Sequence, residues 1–174
     1  MRRVAIDETV PVTIELNGMK VTGQATSRML LTDFLRHQIG QTGTHVGCEH
    51  GVCGCCTVRV DGVAGRSCLM LAVQADGRKV DTVEGLAPSR DALNALQRAF
   101  RKNHALQCGF CTPGILMSFS DFLARKPDPS EEEVREVLGG HICRCTGYAG
   151  LMKAIMEAAA EMRGETTDAE TSAA

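Results

Sequence analysis

The sequence predicts an α+β chain in two parts, a strand-rich first half followed by an all-helical second half. Three observations carry this expectation. Apolar and polar residues alternate through much of the first eighty positions, apolar residues recur at helical spacing after Pro88, and each part holds its own set of cysteines. A length of 174 residues suits one mid-sized domain or two small ones. With no Trp, one Tyr and five Phe, the core must be built from Ala, Leu, Val and Met.

In the first part Val10, Val12, Ile14 and Leu16 alternate up to Asn17-Gly18, a hairpin turn signal, and Lys20-Val21-Thr22 supplies the returning arm. Leu30, Leu31, Phe34 and Leu35 share one helical face and Gly40 follows them, which predicts a short amphipathic helix. Thr57-Val58-Arg59-Val60 before Asp61-Gly62 reads as a strand and turn, and 79–83 as a closing strand. In the second part Ser89 is expected to cap a helix carrying Leu93, Leu96 and Phe100. Thr112-Pro113 opens a helix along Ile115, Leu116, Phe119, Phe122 and Leu123, which Pro127 and Pro129 prevent from continuing. Ser130 with Glu133 forms a capping box for a third helix through Val134, Val137 and Leu138, closed by Gly139-Gly140. Thr146 precedes a fourth, with Leu151, Ile155, Ala158, Ala159 and Met162. The expected organisation is a first domain over 1–83, a linker over 84–88, a four-helix bundle over 89–163 and a disordered tail over 164–174.

Nineteen basic against twenty-one acidic residues argue against a nucleic-acid or polybasic membrane binder. No apolar run is long enough to span a bilayer, and no hydrophobic region follows Arg2-Arg3 as an export signal requires, so the expected location is the cytoplasm. Nine cysteines in such a chain point to metal binding ahead of a disulfide framework.

Cys48, Cys53 and Cys56 have the C-x4-C-x2-C spacing of plant-type ferredoxins, whose [2Fe–2S] cluster takes three thiolates from one loop and a fourth from afar; Cys68 supplies that fourth. Gly47, Gly51 and Gly54 suit a tight loop that needs positive φ and close backbone approach. Cys55 is left over, and its side chain diverges from that of Cys56, so it is expected to be a packed or partly exposed thiol. The second set is Cys108, Cys111, Cys143 and Cys145. Taken alone, these two short pairs are compatible with zinc, but Cys111 and Cys145 each directly precede an expected helix start. Two helix N-termini would then face one anionic centre, which favours a metal–sulfur cluster.

These motifs, Gly47-Cys48-Glu49-His50-Gly51-Val52-Cys53-Gly54-Cys55-Cys56-Thr57-Val58, Ser67-Cys68, Gln107-Cys108-Gly109-Phe110-Cys111-Thr112-Pro113-Gly114 and Cys143-Arg144-Cys145-Thr146-Gly147-Tyr148, strongly resemble the iron–sulfur small subunit of the molybdenum hydroxylases, the xanthine oxidase family. The resemblance runs from about Val10 to Met162. It implies an N-terminal β-grasp, plant-type ferredoxin-like domain and a helical domain, each holding one [2Fe–2S] cluster. It also implies a large subunit with molybdopterin, in bacteria often the cytosine dinucleotide, and a medium subunit with FAD, the whole expected as a dimer of heterotrimers. Electrons would pass from molybdenum through both clusters to flavin. By the resemblance, Cys108, Cys111, Cys143 and Cys145 hold the cluster nearer the pterin, Gln107 hydrogen-bonds the pterin, and Cys145 lies near it. Cys48, Cys53, Cys56 and Cys68 hold the cluster nearer FAD. Cys55 stands where the family usually has a small residue such as Ala, and His141 where Asn is common; His141 is expected to be a supporting or solvated side chain. His45 and His50 border the first loop, but with four cysteines available a Rieske arrangement is not expected. The alternatives are a zinc-stabilised interaction module and a free-standing ferredoxin. No catalytic dyad or triad is present in the sequence, and the substrate is not assigned by it.

Overall fold

The computed structural model describes residues 5, 7–87, 89 and 92–165. Arg2-Arg3, the Pro88 end of the expected linker, and the expected tail from residue 166 onward lie outside the described residues.

Strands β1 (Thr9–Leu16) and β2 (Met19–Thr26) form an antiparallel hairpin with Leu16 opposite Met19, so Asn17 and Gly18 make a two-residue turn. Both turn residues have positive φ, 49° and 81°, which Asn and Gly tolerate at little cost. A second hairpin joins β3 (Thr57–Val60) to β4 (Val63–Arg66) through Asp61-Gly62, again both at positive φ. Strand β5 (Lys79–Asp81) lies between the hairpins, parallel to β1 and antiparallel to β3, giving a mixed sheet ordered β2-β1-β5-β3-β4.

The expected helix near Leu30 differs in kind from its prediction. Helix α1 (Leu31–Asp33) is a single turn that widens into a π-helical turn over Phe34–Gln38, where the Ile39 amide donates to the Phe34 carbonyl at 3.1 Å. Leu31, Phe34 and Leu35 are still fully buried, against Val12, Ile14, Leu16, Val58 and Val80 of the sheet. Burial of the apolar face, rather than regular helical geometry, decides this segment.

Helices α2 (Ala95–Lys102), α3 (Thr112–Arg125), α4 (Glu131–Gly139) and α5 (Ala149–Met162) enclose a second core of Leu96, Phe100, Ile115, Phe119, Leu123, Val134, Leu151 and Ile155. The Ser130/Glu133 capping box forms, and Pro113 sits in the first turn of α3. Two expected helix starts move. Asn94 caps α2, accepting from the Gln97 amide at 2.8 Å while Gln97 returns the bond at 3.0 Å, and Ser89 instead bridges to Ala92. A reciprocal box right at the apolar stripe satisfies two backbone donors where Ser89 would satisfy one. Helix α5 begins at Ala149 rather than after Thr146, because Gly147 and Tyr148 both have positive φ, 63° and 67°, and turn the chain before it can coil.

Helix α3 joins the two halves. It packs on β3 and β4, and Asp121, buried on its inner face, accepts the Ala64 amide at 3.1 Å and two bonds from Arg125 at 3.0 Å. Burial pushes the Asp121 carboxyl up, but the Arg125 and Ala64 hydrogen bonds and the charges of Arg125 and Arg59 outweigh it and hold the group below the usual carboxylate value. The stretch after β5 forms a short turn over Val83–Gly85, and Val83 and Leu86 pack against the helical core.

Candidate metal centres

The loop over 47–56 has positive φ at three positions, Glu49, Gly51 and Gly54. Gly51 is favoured there by its φ of 84°; a Cβ would meet only the end of the exposed Leu69 side chain, which can swing aside. The fold brings Cys48, Cys53 and Cys56 to this loop and Cys68 beside it, on a short turn over Ser67–Leu69. Cys53, Cys56 and Cys68 are buried, while Cys48 is the outer member. The Cys53 amide donates to Cys48 Sγ at 3.4 Å. That amide first, and the His50 amide next, hold the Cys48 thiol down to about 6. Burial pushes Cys68 up to about 11, with a hydrogen bond to Cys56 adding to it.

The second group forms where the start of α3 meets the turn before α5. Cys111 is the N-cap of α3, whereas Cys145 lies four residues ahead of Ala149, so one helix N-terminus faces this group, not the expected two. Cys108 and Cys145 are 3.4 Å apart at the outer edge, and Cys111 and Cys143 are neighbours deeper in. Burial pushes Cys111 up to about 12. Partial burial raises Cys143 too, but the hydroxyl and amide of Thr146 prevail and lower it. The Phe110 amide lowers Cys108, and the bond to Cys108 raises Cys145.

Each of the eight sulfurs has another as a neighbour, Cys48 with Cys53, Cys56 with Cys68, Cys108 with Cys145, and Cys111 with Cys143, and Cys55 also neighbours Cys53. Among the described residues no three Cys, His, Asp or Glu side chains converge closely enough to share one ion. Two pairs in each group are the donor set that a two-iron centre needs, and all-thiolate donors suit iron–sulfur chemistry.

Cys55 is buried, not partly exposed, with its Sγ 3.9 Å from the Cys53 carbonyl; desolvation pushes it up to about 12. His45 stacks on Phe110, ring centroids 4.9 Å apart, with Nδ1 2.8 Å from the Phe110 carbonyl, while His50 Nδ1 contacts the Cys48 carbonyl. Gln107 is exposed beside the exposed Cys108. His141 is not solvated: it is 3% exposed, its Nε2 lies 2.8 Å from Ser118 Oγ, and its Nδ1 has no hydrogen-bond partner. Burial, aided by the Arg66 charge, pushes it down to about 4, so the ring is neutral at pH 7.

Several contacts around the sulfurs were not foreseen in the sequence. The Thr146 hydroxyl donates to Cys143 Sγ at 3.1 Å. The Tyr148 hydroxyl accepts the Cys143 amide at 2.8 Å and donates to the His141 carbonyl at 3.0 Å, bracing this turn from within. The two cysteine loops also touch: the Ile142 amide donates to the Cys53 carbonyl at 3.0 Å. A Cβ on Gly54 would fall 2.4 Å from His141 Nδ1, and one on Gly114 would fall 2.1 Å from the Gly54 carbonyl.

Comparison with known proteins matches this architecture in both halves. Residues 14–87 fit the family described as a 2Fe-2S iron–sulfur cluster binding domain, and residues 82–156 the family described as a [2Fe-2S] binding domain. The nicotine 6-hydroxylase small subunit of Paenarthrobacter nicotinovorans is 50% identical over 151 residues, covering 87% of this chain and 90% of that one. The chain belongs to the iron–sulfur small subunits of the molybdenum hydroxylases. This family is one of oxidoreductase subunits, and the first half of the chain has its ferredoxin-like fold. The caffeine dehydrogenase subunit gamma of Pseudomonas sp. (strain CBB1) is 51% identical over 147 residues, covering 83% of this family member and 87% of its relative. A solved structure of quinoline 2-oxidoreductase from Pseudomonas putida 86 aligns with a TM-score of 0.85 at 50% identity, over 91% of this chain and 99% of that one. No helix among the described residues is long and apolar enough to cross a membrane.

Proposed function

We propose that the chain is the electron-transfer subunit of a cytoplasmic molybdenum hydroxylase complex. It would carry electrons from a molybdopterin centre on a large subunit, through two [2Fe–2S] clusters of its own, to FAD on a medium subunit. Cys48, Cys53, Cys56 and Cys68 would hold one cluster, paired 48 with 53 and 56 with 68. Cys108, Cys111, Cys143 and Cys145 would hold the other, paired 108 with 145 and 111 with 143. Each cluster, when bound, takes up and returns one electron.

The observation that carries this reading is the contact between the two cysteine loops. The Cys53 carbonyl and the Ile142 amide link two ligand-bearing segments directly, while Cys48 and Cys108 sit at the outer edges of their groups. A chain that only stored metal would not need its two sites in backbone contact. Gln107, exposed next to Cys108, would hydrogen-bond the pterin, and Cys145, in contact with Cys108, would lie near it, so the helical half would meet the large subunit. We divide the chain as a ferredoxin-like domain over 1–83, a linker over 84–88 and a four-helix bundle over 89–163. We expect the cytosine dinucleotide form of the pterin and a dimer of heterotrimers. The relatives named for nicotine, caffeine and quinoline make N-heteroaromatic rings the substrate class to test first.

Metal analysis tests the reading. The purified chain or its complex should contain four iron and four acid-labile sulfide per chain, with two distinct EPR signals on reduction, because each Cys₄ set holds one cluster. A colourless protein with zinc and no labile sulfide refutes it.

A further inference from the structure

Arg66 ends β4, two positions before Cys68, and spans the junction of the two cysteine loops. Its Nη1 donates to Thr57 Oγ1 at 2.5 Å and its Nη2 donates to the Gly140 carbonyl at 2.6 Å. Thr57 directly follows Cys56, and its hydroxyl donates to the Gly54 carbonyl at 2.7 Å. Gly140 opens the turn that leads to Cys143, and the Ile142 amide of that turn donates to the Cys53 carbonyl at 3.0 Å. One guanidinium is thus hydrogen-bonded to the segment that carries Cys53 and Cys56 and to the segment that carries Cys143. Among the described residues no carboxylate pairs with it; both of its hydrogen bonds go to neutral oxygens.

We infer that Arg66 is a shared electrostatic tuning residue, a single positive charge that makes both centres easier to reduce. The inference rests on the two-cluster reading. An electron added to a thiolate-bound centre increases its negative charge, so a nearby cation stabilises the reduced form. At a half-buried position that attraction exceeds its value in bulk water. Hydrogen bonding and local charge are among the factors that set iron–sulfur potentials. A cation joined to both loops acts on both centres at once and raises the two potentials together, which leaves the difference that drives an electron from one to the other largely intact. Arginine suits the position because its planar fork makes two hydrogen bonds in different directions while remaining charged.

The competing role is purely mechanical, since Gly140 is the C-cap of α4 and a cation there would also cap the helix. Two variants of the full cluster-loaded chain separate the roles by EPR-monitored redox titration, with iron and sulfide assayed on the same samples. Arg66→Gln keeps an amide donor for the Gly140 carbonyl but removes the charge; it should lower both midpoints. At the wild-type midpoint the ratio of reduced to oxidised centre should fall about tenfold, which for one electron is about 59 mV. Arg66→Lys keeps the charge and should hold both midpoints close to wild type. Unmoved midpoints in a fully loaded Arg66→Gln chain, or movement of one signal alone, overturn the inference and leave the two-cluster reading standing. Should Arg66→Gln fail to load iron, Arg66→Met takes its place: both midpoints lowered with Arg66→Lys held support the charge, and unmoved midpoints in loaded Arg66→Met, or a tenfold loss at both in Arg66→Lys, overturn it. Zinc without sulfide in the unaltered chain overturns the cluster reading and this inference with it.

Discussion

Replacing Gly114 by Ala should destabilise the chain and loosen the joint between its two halves. Gly114 lies in the first turn of α3, directly over the first cysteine loop. A Cβ there would stand 2.1 Å from the Gly54 carbonyl oxygen and 3.0 Å from Cys55 Cα. Both obstacles are backbone, and reaching an ordinary contact of 3.4 Å requires a displacement of about 1.3 Å. Overpacking of this kind costs about 1–3 kcal/mol when surroundings can yield. Here Gly54 is already wedged against His141 and the Gly140 carbonyl, so the upper half of that range applies. At about 2–4 °C per kcal/mol for a chain of this size, thermal unfolding of the loaded protein should shift down by roughly 5–10 °C. Gly139→Ala is the control: an added Cβ there meets nothing within 4 Å, the residue ends a helix, and its φ is not positive, so the change should be neutral or slightly stabilising. A Gly114→Ala chain melting within a degree of wild type would show that the loop and helix are not in the tight contact described.

Three further outcomes are expected. Cys55→Ala should keep both clusters, whereas Cys56→Ala should lose the first; iron and sulfide content decide, and the reverse result means that the wrong sulfur has been assigned. Thr146→Val removes the hydroxyl bonded to Cys143 Sγ, so the second centre should become harder to reduce, by up to about tenfold in its reduced-to-oxidised ratio, while the first stays put; equal movement of both signals counts against this role. Asp121→Asn should cost about 2 kcal/mol, within the range for hydrogen bonds to charged groups, measured by urea unfolding. Because the folded state holds this carboxyl below its ordinary value, its contribution is complete above the unfolded pKa near 3.9 and is lost only as pH falls through the folded value. The difference between Asp121→Asn and wild type should therefore be flat from pH 8 to 5.5, and a difference that shrinks across that window refutes the assignment.

What could be read in the sequence is what depends on local periodicity and spacing. Asn17-Gly18 and Asp61-Gly62 announced their turns because two-residue hairpins require positive φ at both positions. The Ser130/Glu133 box and Pro113 announced helix starts because backbone donors there need partners or need to be absent. Errors arose where two local signals competed. Ser89 and Asn94 are both good N-caps, and the reciprocal bond to Gln97 decided between them. Thr146 looks like a helix cap, yet its hydroxyl accepts the Tyr148 amide within the turn and donates to Cys143 Sγ, and the positive φ at Gly147 and Tyr148 delays the helix. Phe34 and Leu35 gave the correct buried face but no sign of the π-helical turn, since burial fixes a face and not the hydrogen-bond ladder.

The cysteine groups were legible separately, but their contact was not, and the reason lies in the type of atom that makes it. Cys53 and Ile142 meet through a carbonyl and an amide, groups that every residue but proline carries, so no side-chain pattern marks them. The sequence trace of such a contact is the absence of a side chain. Gly54 and Gly114 leave the room in which the loop, the α4–α5 turn and the start of α3 come together, and either could be mistaken for a turn residue or a helix-end residue. Arg66 is one of the side chains that cross the joint, with His45 and Asp121, and its Nη2 ends on a backbone carbonyl rather than on a carboxylate that charge patterning could have flagged. Electron exchange between centres depends on their separation and on what lies between them. If the chain carries electrons between two centres as proposed, the positions most constrained by that exchange are two glycines and Arg66 as well as the cysteines themselves.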